Sequence, residues 1–204
     1  MRFAREPRLQ PTPIGALRPT QMTVGMREVA AKRAEWRAHA EAKKAAFLGR
    51  HLIPVVLGPK GAPYLVDHHH LARALFDEGV AEVAVTVVAD LSALAASAFW
   101  VYLDNRSWTH LYDRKGRLRT YEDLPGRVKD LVDDPYRSLA GALRRAGGYA
   151  KDTTPFSEFL WADFLRRRVK PAAVKLHPEA ALATALSLAK SGEAGYLPGW
   201  CGPV

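Results

Sequence analysis

The sequence predicts an α+β protein in which a small mixed β-sheet with helices is followed by a packed helical C-terminal part. β-branched and apolar runs typical of strands occur in the first part of the chain, and residues 82–88 form the clearest of them. Apolar residues at three-to-four spacing, typical of helices, dominate the later part. No clear linker separates the two. We therefore expect an α+β domain at residues 8–121 and a helical extension packed on it at residues 122–204.

Cap and turn residues define the elements of the first part. Thr23 as an N-cap and Gly49 as a C-cap glycine predict one long helix at residues 25–47. The turn residues 58–61 join two paired strands. The elements expected in this part are, in order, a strand at residues 14–17, the long helix, the paired strands at 52–57 and 64–66, a helix at 69–77, the strand at 82–88, a helix at 92–103 and a hairpin at 108–121 with its turn at 113–116.

Proline at the first helical position marks the helices of the second part. Asp134-Pro135 predicts a helix at residues 136–146, which ends at two glycines. Thr154-Pro155 predicts another helix over residues 156–165. An alanine-rich helix is expected at residues 178–191.

Composition limits the class of protein. The 204 residues include 30 basic and 21 acidic side chains, a net charge of +9, which favours a polyanionic partner such as a nucleotide or DNA. No apolar run is long enough to cross a membrane. The single cysteine, Cys201, excludes an internal disulfide and a cysteine-based zinc site. We expect a basic cytoplasmic protein.

The candidate chemistry is concentrated in the run Asp67-His68-His69-His70, between a predicted strand and a predicted helix. Three of the seven histidines of the chain lie here. With Asp67 as N-cap, the three histidines occupy the first helical positions, where backbone N–H groups are unpaired and the helix dipole is positive. This arrangement favours a phosphate group, to which the imidazoles and Arg73 add charge and hydrogen-bond donors.

Asp67 admits more than one role. Because a free carboxylate repels phosphate, it serves either as the cap or as a ligand of a Mg²⁺ ion that bridges to the phosphate. In an extended conformation, His68 and His70 would share one face and could bind zinc. A purely structural alternative has exposed histidines at a helix start that Asp67 only caps.

Five segments of the chain also carry a family resemblance. They are Leu17-Arg18-Pro19-Thr20-Gln21-Met22-Thr23-Val24-Gly25, Ile53-Pro54-Val55-Val56, Val66-Asp67-His68-His69-His70, Asp134-Pro135-Tyr136-Arg137-Ser138-Leu139-Ala140 and Phe156-Ser157-Glu158-Phe159-Leu160-Trp161-Ala162-Asp163-Phe164. In this order they resemble the ParB/sulfiredoxin superfamily, specifically its ParB-like nuclease branch, over roughly residues 10–170.

The resemblance implies a nucleotide, such as CTP, ATP or ADP, held by a strand–turn–helix motif. In free-serine kinases of the superfamily this motif reads Asp-Gly-His-His-Arg. Asp67, His69 and His70 match its aspartate and both histidines, whereas His68 replaces the glycine and Leu71 the arginine. The lost glycine matters because glycine lets the backbone approach a phosphate closely.

The kinase relatives also need a catalytic carboxylate near the first strand–helix turn. Gln21 lies in this neighbourhood as a candidate ligand contact, and Glu28 follows as a candidate base. Asp67 and His69 are the other two catalytic candidates. A glutamate on a basic helix is more often an ion-pair partner. Arg137, just after a predicted helix start, is the further phosphate-binding candidate.

Three functional hypotheses follow. The first is a nucleotide- or phosphate-binding protein with metal-dependent phosphate hydrolysis or phosphotransfer. The second is a DNA-binding protein or nuclease, and the third is a non-catalytic interaction protein. Sulfiredoxin activity is excluded because its catalytic cysteine would lie in the histidine run, and no well-phased helix-turn-helix of the partition proteins is visible.

Overall fold

The structure, a computed structural model, describes residues 8–203 apart from the side chains of residues 8–10, 41 and 42. The chain divides into two compact units. The first consists of the chain up to Thr23 together with residues 29–132, and the second of residues 24–28 together with the chain from Asp133 onward. The division after Val132 lies downstream of the boundary expected at residue 121.

The secondary structure within the described residues alternates strands and helices in the first unit and is helical in most of the second. The strands are β1 (Arg8–Pro13), β2 (Thr23–Val24), β3 (Ile53–Leu57), β4 (Pro63–Leu65), β5 (Glu82–Asp90) and β6 (Val132–Asp133). The helices are α1 (Met26–Ala38), α2 (Glu41–Arg50), α3 (His69–Asp77), α4 (Ala96–Asn105), α5 (Pro135–Arg145), α6 (Ser157–Arg166), α7 (Pro171–Leu176) and α8 (Pro178–Ala189).

A mixed four-stranded sheet with the order β1-β5-β3-β4 lies in the first unit. Strand β5 pairs antiparallel with β1 and parallel with β3, and β3 pairs antiparallel with β4. Strand β1 contains Pro11 and Pro13, which have no backbone N–H to donate to a neighbouring strand. It tolerates them because it is an edge strand and pairs on one side only. The predicted α+β class and mixed sheet are confirmed.

The core of the first unit follows from the alternation along β5. Val83, Val85, Val87 and Ala89 are buried at every second position of this strand. Ala89 joins an aromatic-rich cluster whose members are Val56, Tyr64, Ala89, Leu91, Phe99 and Leu103. This core fixes the sheet from which the β4–α3 connection emerges.

The predicted long helix at residues 25–47 is wrong, since it is broken into α1 and α2 at residues 39–40. The break lets Phe47 fold back onto Trp36, with 5.5 Å between ring centroids, and both rings are buried. In one continuous helix these positions would lie ~16 Å apart along the axis. Burial of the two aromatic rings therefore outweighs the helical propensity of the alanine-rich sequence between them.

Two other expectations in the first unit need correction. The strand predicted at residues 14–17 is a single 3₁₀ turn, Ile14–Ala16, because β1 has already ended at Pro13. The hairpin at 108–121 keeps its predicted turn, in which the Gly116 N–H donates to the Asp113 carbonyl oxygen (2.8 Å), but its arms meet in one bridge between Tyr112 and Leu118 and form no strands.

The second unit confirms one predicted helix start and corrects another. Asp134 is the N-cap of α5, and its Oδ1 accepts a hydrogen bond from the N–H of Tyr136 at 3.0 Å. Helix α6 begins at Ser157 with Phe156 as its N-cap, in a left-handed conformation, so the start predicted at Thr154-Pro155 is wrong. Helix α7 was not predicted, whereas α8 agrees with the alanine-rich helix.

Burial of the inner faces of α5, α6 and α8 creates the core of the second unit. Its largest members, Trp161 and Phe164 on α6, are almost fully buried, and Tyr149 stacks on Trp161 with 4.3 Å between centroids. Small alanines on α8 allow close approach to α5. No helix within the described residues is both long and apolar enough to span a membrane.

Candidate functional site

The start of α3 is held by a loop at residues 18–21. The Arg18 N–H donates to the Pro63 carbonyl oxygen (2.9 Å), and the Arg18 carbonyl oxygen accepts from the Leu65 N–H (2.8 Å). Thr20 Oγ1 donates to the Leu65 carbonyl oxygen over 2.5 Å. These bonds fix the end of β4 and the path by which the chain enters the turn before α3.

His68, and not Asp67, is the N-cap of α3. It has the left-handed conformation, with φ 63° and ψ 25°, and the Asp67 carboxylate accepts a hydrogen bond from its N–H at 2.6 Å. The predicted N-cap at Asp67 is therefore wrong, and only His69 and His70 occupy the first helical positions. Glycine adopts this conformation most readily, and histidine is among the few other residue types enriched in it.

His69 is buried and bound to the 18–21 loop. Its Nε2 accepts a hydrogen bond from the backbone N–H of Thr20 at 3.2 Å, which requires an unprotonated Nε2. Thr20 is in turn fixed by Thr109 Oγ1 and by the N–H of His110, both of which donate to its carbonyl oxygen at 2.9 Å. His69 thus anchors the helix start to the loop, and its Nε2 could act as a base only after this bond breaks.

The side chains accessible to a ligand at this corner are Asp67, His68 and His70. Asp67 and His68 are exposed and His70 is partly buried. No side chain caps α3, so the positive end of its dipole is not met by a carboxylate from its own N-cap. The exposed guanidinium of Arg18 lies 5.7 Å from the centroid of the Tyr64 ring on β4. The corner therefore combines a helix N-terminus with imidazoles.

Two other candidates of the first unit are bound internally. Arg73 donates from Nε to Asp77 Oδ1 (2.9 Å) and from Nη1 to the Leu131 carbonyl oxygen (2.8 Å), so it ties α3 to the turn before β6. Gln21 is buried and donates from Nε2 to the Thr23 carbonyl oxygen at 2.7 Å. In this state the hydrogen bonds of both side chains are made within the protein.

Glu28 and Arg137 belong to the second unit, where the structure brings them into one charged cluster. Both carboxylate oxygens of Glu28 accept hydrogen bonds from Arg145, at 2.5 and 2.7 Å. Arg137 is buried on α5 and lies 3.5 Å from Glu158. Burial lowers the pKa of Arg137, and the neighbouring Glu158 opposes this shift. Glu28 is thus the ion-pair partner that a glutamate on a basic helix usually is.

The described residues offer no ready metal centre. They contain no group of three or more histidine, cysteine, aspartate or glutamate side chains that could hold an ion. This disfavours the zinc alternative at His68 and His70. A magnesium ion at Asp67 would have to take most of its other ligands from water and a bound phosphate, as magnesium commonly does.

A separate cleft of about 370 Å³ lies in the first unit. It is lined mainly by charged side chains of both signs, among them Asp113, Arg114, Lys115, Arg119 and Asp123. Arg119 and Asp113 form an ion pair, with 2.7 Å between Nη2 and Oδ2. Burial raises the pKa of Asp113, but the hydrogen bonds that its carboxylate accepts outweigh this effect, so the pKa is lowered. None of the residues 67–70 lines this cleft.

Sequence reasoning missed two residues that organise the sites. Thr20 carries no charge and stands in no polar cluster of the sequence, although it lies in the motif at residues 17–25. Glu158 lies in the motif at residues 156–164, where an acidic residue in the first helical turn was a visible signal. Only the fold brings Thr20 to His69 and Glu158 to Arg137.

Comparison with known proteins adds the evolutionary context. The family described as "Putative ParB-like nuclease" matches residues 10–167 of the chain. The chain is also similar to protein Atu1540 from Agrobacterium tumefaciens, a crystal structure that superposes with a TM-score of 0.91 at 52% sequence identity. That match covers 98% of this chain and 100% of the other. No curated protein matches the sequence significantly.

Proposed function

Because the chain belongs to the ParB-like nuclease family, we propose that it binds a phosphate ester, and a nucleotide in particular, at the start of α3. The observation that supports this proposal is the left-handed His68 that opens α3 without a side-chain cap. His68 stands where the kinase motif has glycine, and it adopts the left-handed conformation that glycine adopts most readily. This conformation supports the proposal because it is compatible with a glycine-type turn at the start of the helix.

The chemistry of the corner fits a phosphate group better than a neutral ligand. A helix N-terminus carries roughly half a positive charge, and an anion placed there is stabilised. The imidazoles of His68 and His70 add ring nitrogens that can donate hydrogen bonds to a phosphate. Arg18, on the loop paired with β4, is an exposed cation of the same unit, and its Nη1 donates to the Tyr64 hydroxyl at 3.3 Å.

Asp67 is the residue at this corner that would bind Mg²⁺. Its carboxylate is exposed, and one oxygen is used by the N–H of His68. Magnesium is commonly held by one or two carboxylates together with substrate phosphates, so Asp67 fits the ion only with a nucleotide present. Any hydrolysis or phosphotransfer would depend on Asp67, because Glu28 is paired with Arg145.

Isothermal titration with CTP, ATP and ADP, with and without Mg²⁺, tests the proposal. We expect binding of at least one nucleotide that weakens in His68→Ala, where an imidazole donor is lost. His177→Ala is the matched control, since His177 is also an exposed N-cap histidine, at the start of α8. Absence of binding by all three nucleotides, or equal losses in both variants, would contradict the proposal.

A second candidate function is DNA binding, with or without cleavage. It is favoured by the net charge of +9 and by the exposed side chains of Arg114, Lys115 and Arg117 in the turn at residues 113–117. Affinity for a DNA duplex should then fall steeply as salt increases, because bound counterions are released from the phosphates. Cleavage that persists unchanged in Asp67→Ala would assign the nuclease activity elsewhere.

A further inference from the structure

The second unit contains a charged cluster around Arg137 whose residues are distinct from those at the start of α3. Glu158 forms an ion pair with Arg144, in which Oε1 lies 2.5 Å from Nη1, and its Oε2 lies 3.5 Å from Arg137 Nη2. Glu28 is paired with Arg145. With three arginines against two glutamates, this cluster carries one net positive charge.

Arg137 has hydrogen-bonding capacity that the protein does not use. Its side chain is only 5% exposed, and the ring of Phe159 covers its guanidinium with 3.4 Å to the centroid. Its Nε and Nη1 have no hydrogen-bond partner among the described residues. Burying charged donors without acceptors is unfavourable, so an arginine in this position points to a ligand that accepts hydrogen bonds from it.

The shape of the guanidinium indicates the kind of ligand. Nε and Nη2 form one edge of the group, and their parallel N–H bonds match two oxygens of a phosphate or carboxylate. Glu158 meets this edge through one oxygen only, at 3.5 Å, while its other oxygen is bound more closely to Arg144. An internal carboxylate thus occupies the edge incompletely.

Glu158 also shows that the space beside Arg137 and Arg144 accommodates a negatively charged group. Glu158 lies in the first turn of α6, where the helix dipole stabilises negative charge. Its side chain is 26% exposed and that of Arg144 is 38% exposed, so both can be reached from solvent. If the Glu158 side chain turns outward, the three arginines and Glu28 together carry a charge of +2, which matches a dianion. Asp134, which also acts on Arg137, is neutralised by its ion pair with Arg166.

We propose that Arg137 and Arg144 form an oxyanion site for the phosphate group of a small molecule, and that Glu158 occupies this site until the ligand displaces it. The phosphate would take the Nε–Nη2 edge of Arg137 and the Nη1 donor of Arg144. Phe159 holds the guanidinium plane in place during the exchange. The residues of this site belong to the second unit, whereas those of the nucleotide site proposed at α3 belong to the first.

Titration of the full chain with inorganic phosphate tests the proposal. Glu158→Gln removes the competing charge with little change of shape, and we expect at least about tenfold tighter phosphate binding than in the unmodified chain. Glu179→Gln is the matched control, because Glu179 is an exposed glutamate in the first turn of α8 and its loss changes the net charge equally. It should leave phosphate affinity unchanged.

Two further measurements make the outcome decisive. Arg137→Lys introduced into the Glu158→Gln chain should abolish the gain, since an ammonium group cannot offer a two-donor edge. Acetate should bind Glu158→Gln much more weakly than phosphate, which separates a phosphate site from a general carboxylate site. An unchanged affinity in Glu158→Gln, an equal gain in Glu179→Gln, or acetate binding as tight as phosphate would each overturn the proposal. A gain of binding cannot arise from misfolding.

Discussion

His69 Nε2 and the backbone N–H of Thr20 are joined by a buried hydrogen bond of 3.2 Å that links residues 49 positions apart in the chain. This bond makes the second histidine of the run a structural anchor, whereas the neighbouring His68 is exposed and is the N-cap of α3. The three adjacent histidines therefore differ in their surroundings, and the described residues hold no group of three or more potential metal ligands.

Loss of the His69 side chain should destabilise the protein. In His69→Ala the Thr20 N–H loses its acceptor and a cavity forms, so we expect the free energy of unfolding to fall by about 3 kcal/mol. His69→Gln, whose side-chain oxygen can still accept, should lose about 1 kcal/mol. Urea unfolding with an unchanged m-value measures both. Equal losses in the two variants would show that the hydrogen bond is unimportant.

Substitution of the N-cap histidine should separate stability from ligand binding. His68→Gly relieves the left-handed backbone at φ 63°, and we expect the free energy of unfolding to rise by about 0.5 kcal/mol after the entropy of glycine in the unfolded chain is included. Nucleotide affinity should fall at the same time because the imidazole is gone. His177→Gly, at φ −131°, should gain no stability. A loss of stability in His68→Gly would contradict the argument.

Gly25 should resist substitution because of its contact with α5. A Cβ at Gly25 would lie 2.7 Å from both the backbone N and the Oγ of Ser138. Gly25→Ala should therefore lower the free energy of unfolding by about 1–3 kcal/mol. Gly49 on α2 is the control: nothing lies within 4 Å of its Cβ position, and Gly49→Ala should raise stability by up to about 1 kcal/mol through helix propensity. Thermal or urea unfolding of both variants tests the contrast.

Glu78 should make the stability of the first unit depend on pH in the acid range. Hydrogen bonds from Arg37 and Arg33 lower the pKa of Glu78 to about 2, from its ordinary value of 4.5. Because the folded pKa is lower than the unfolded one, the stabilisation is present above pH 4.5 and is lost as pH falls toward 2. Glu78→Gln should weaken the fall in urea midpoint between these pH values. A pH profile identical to that of the unmodified chain would rule out this role.

The elements that sequence reasoning located well are those whose signals are local. Asp134 and Pro135 start α5 through a cap and a fixed φ angle, both of which depend on adjacent residues. Alternating β-branched residues located β5, and the histidine run located the start of α3. The break between α1 and α2 could not be read locally, because it arises from the packing of Phe47 on Trp36.

The sequence by itself determined the α+β class and the family resemblance, and it located the candidate site at residues 67–70. Only the tertiary structure decided what each side chain there does. It made His68 the left-handed N-cap, bound His69 to Thr20 and brought Glu158 to Arg137. The reason is physical: caps and periodicity are set by neighbours in the chain, whereas burial and hydrogen-bond partners are set by residues that meet only when the chain folds.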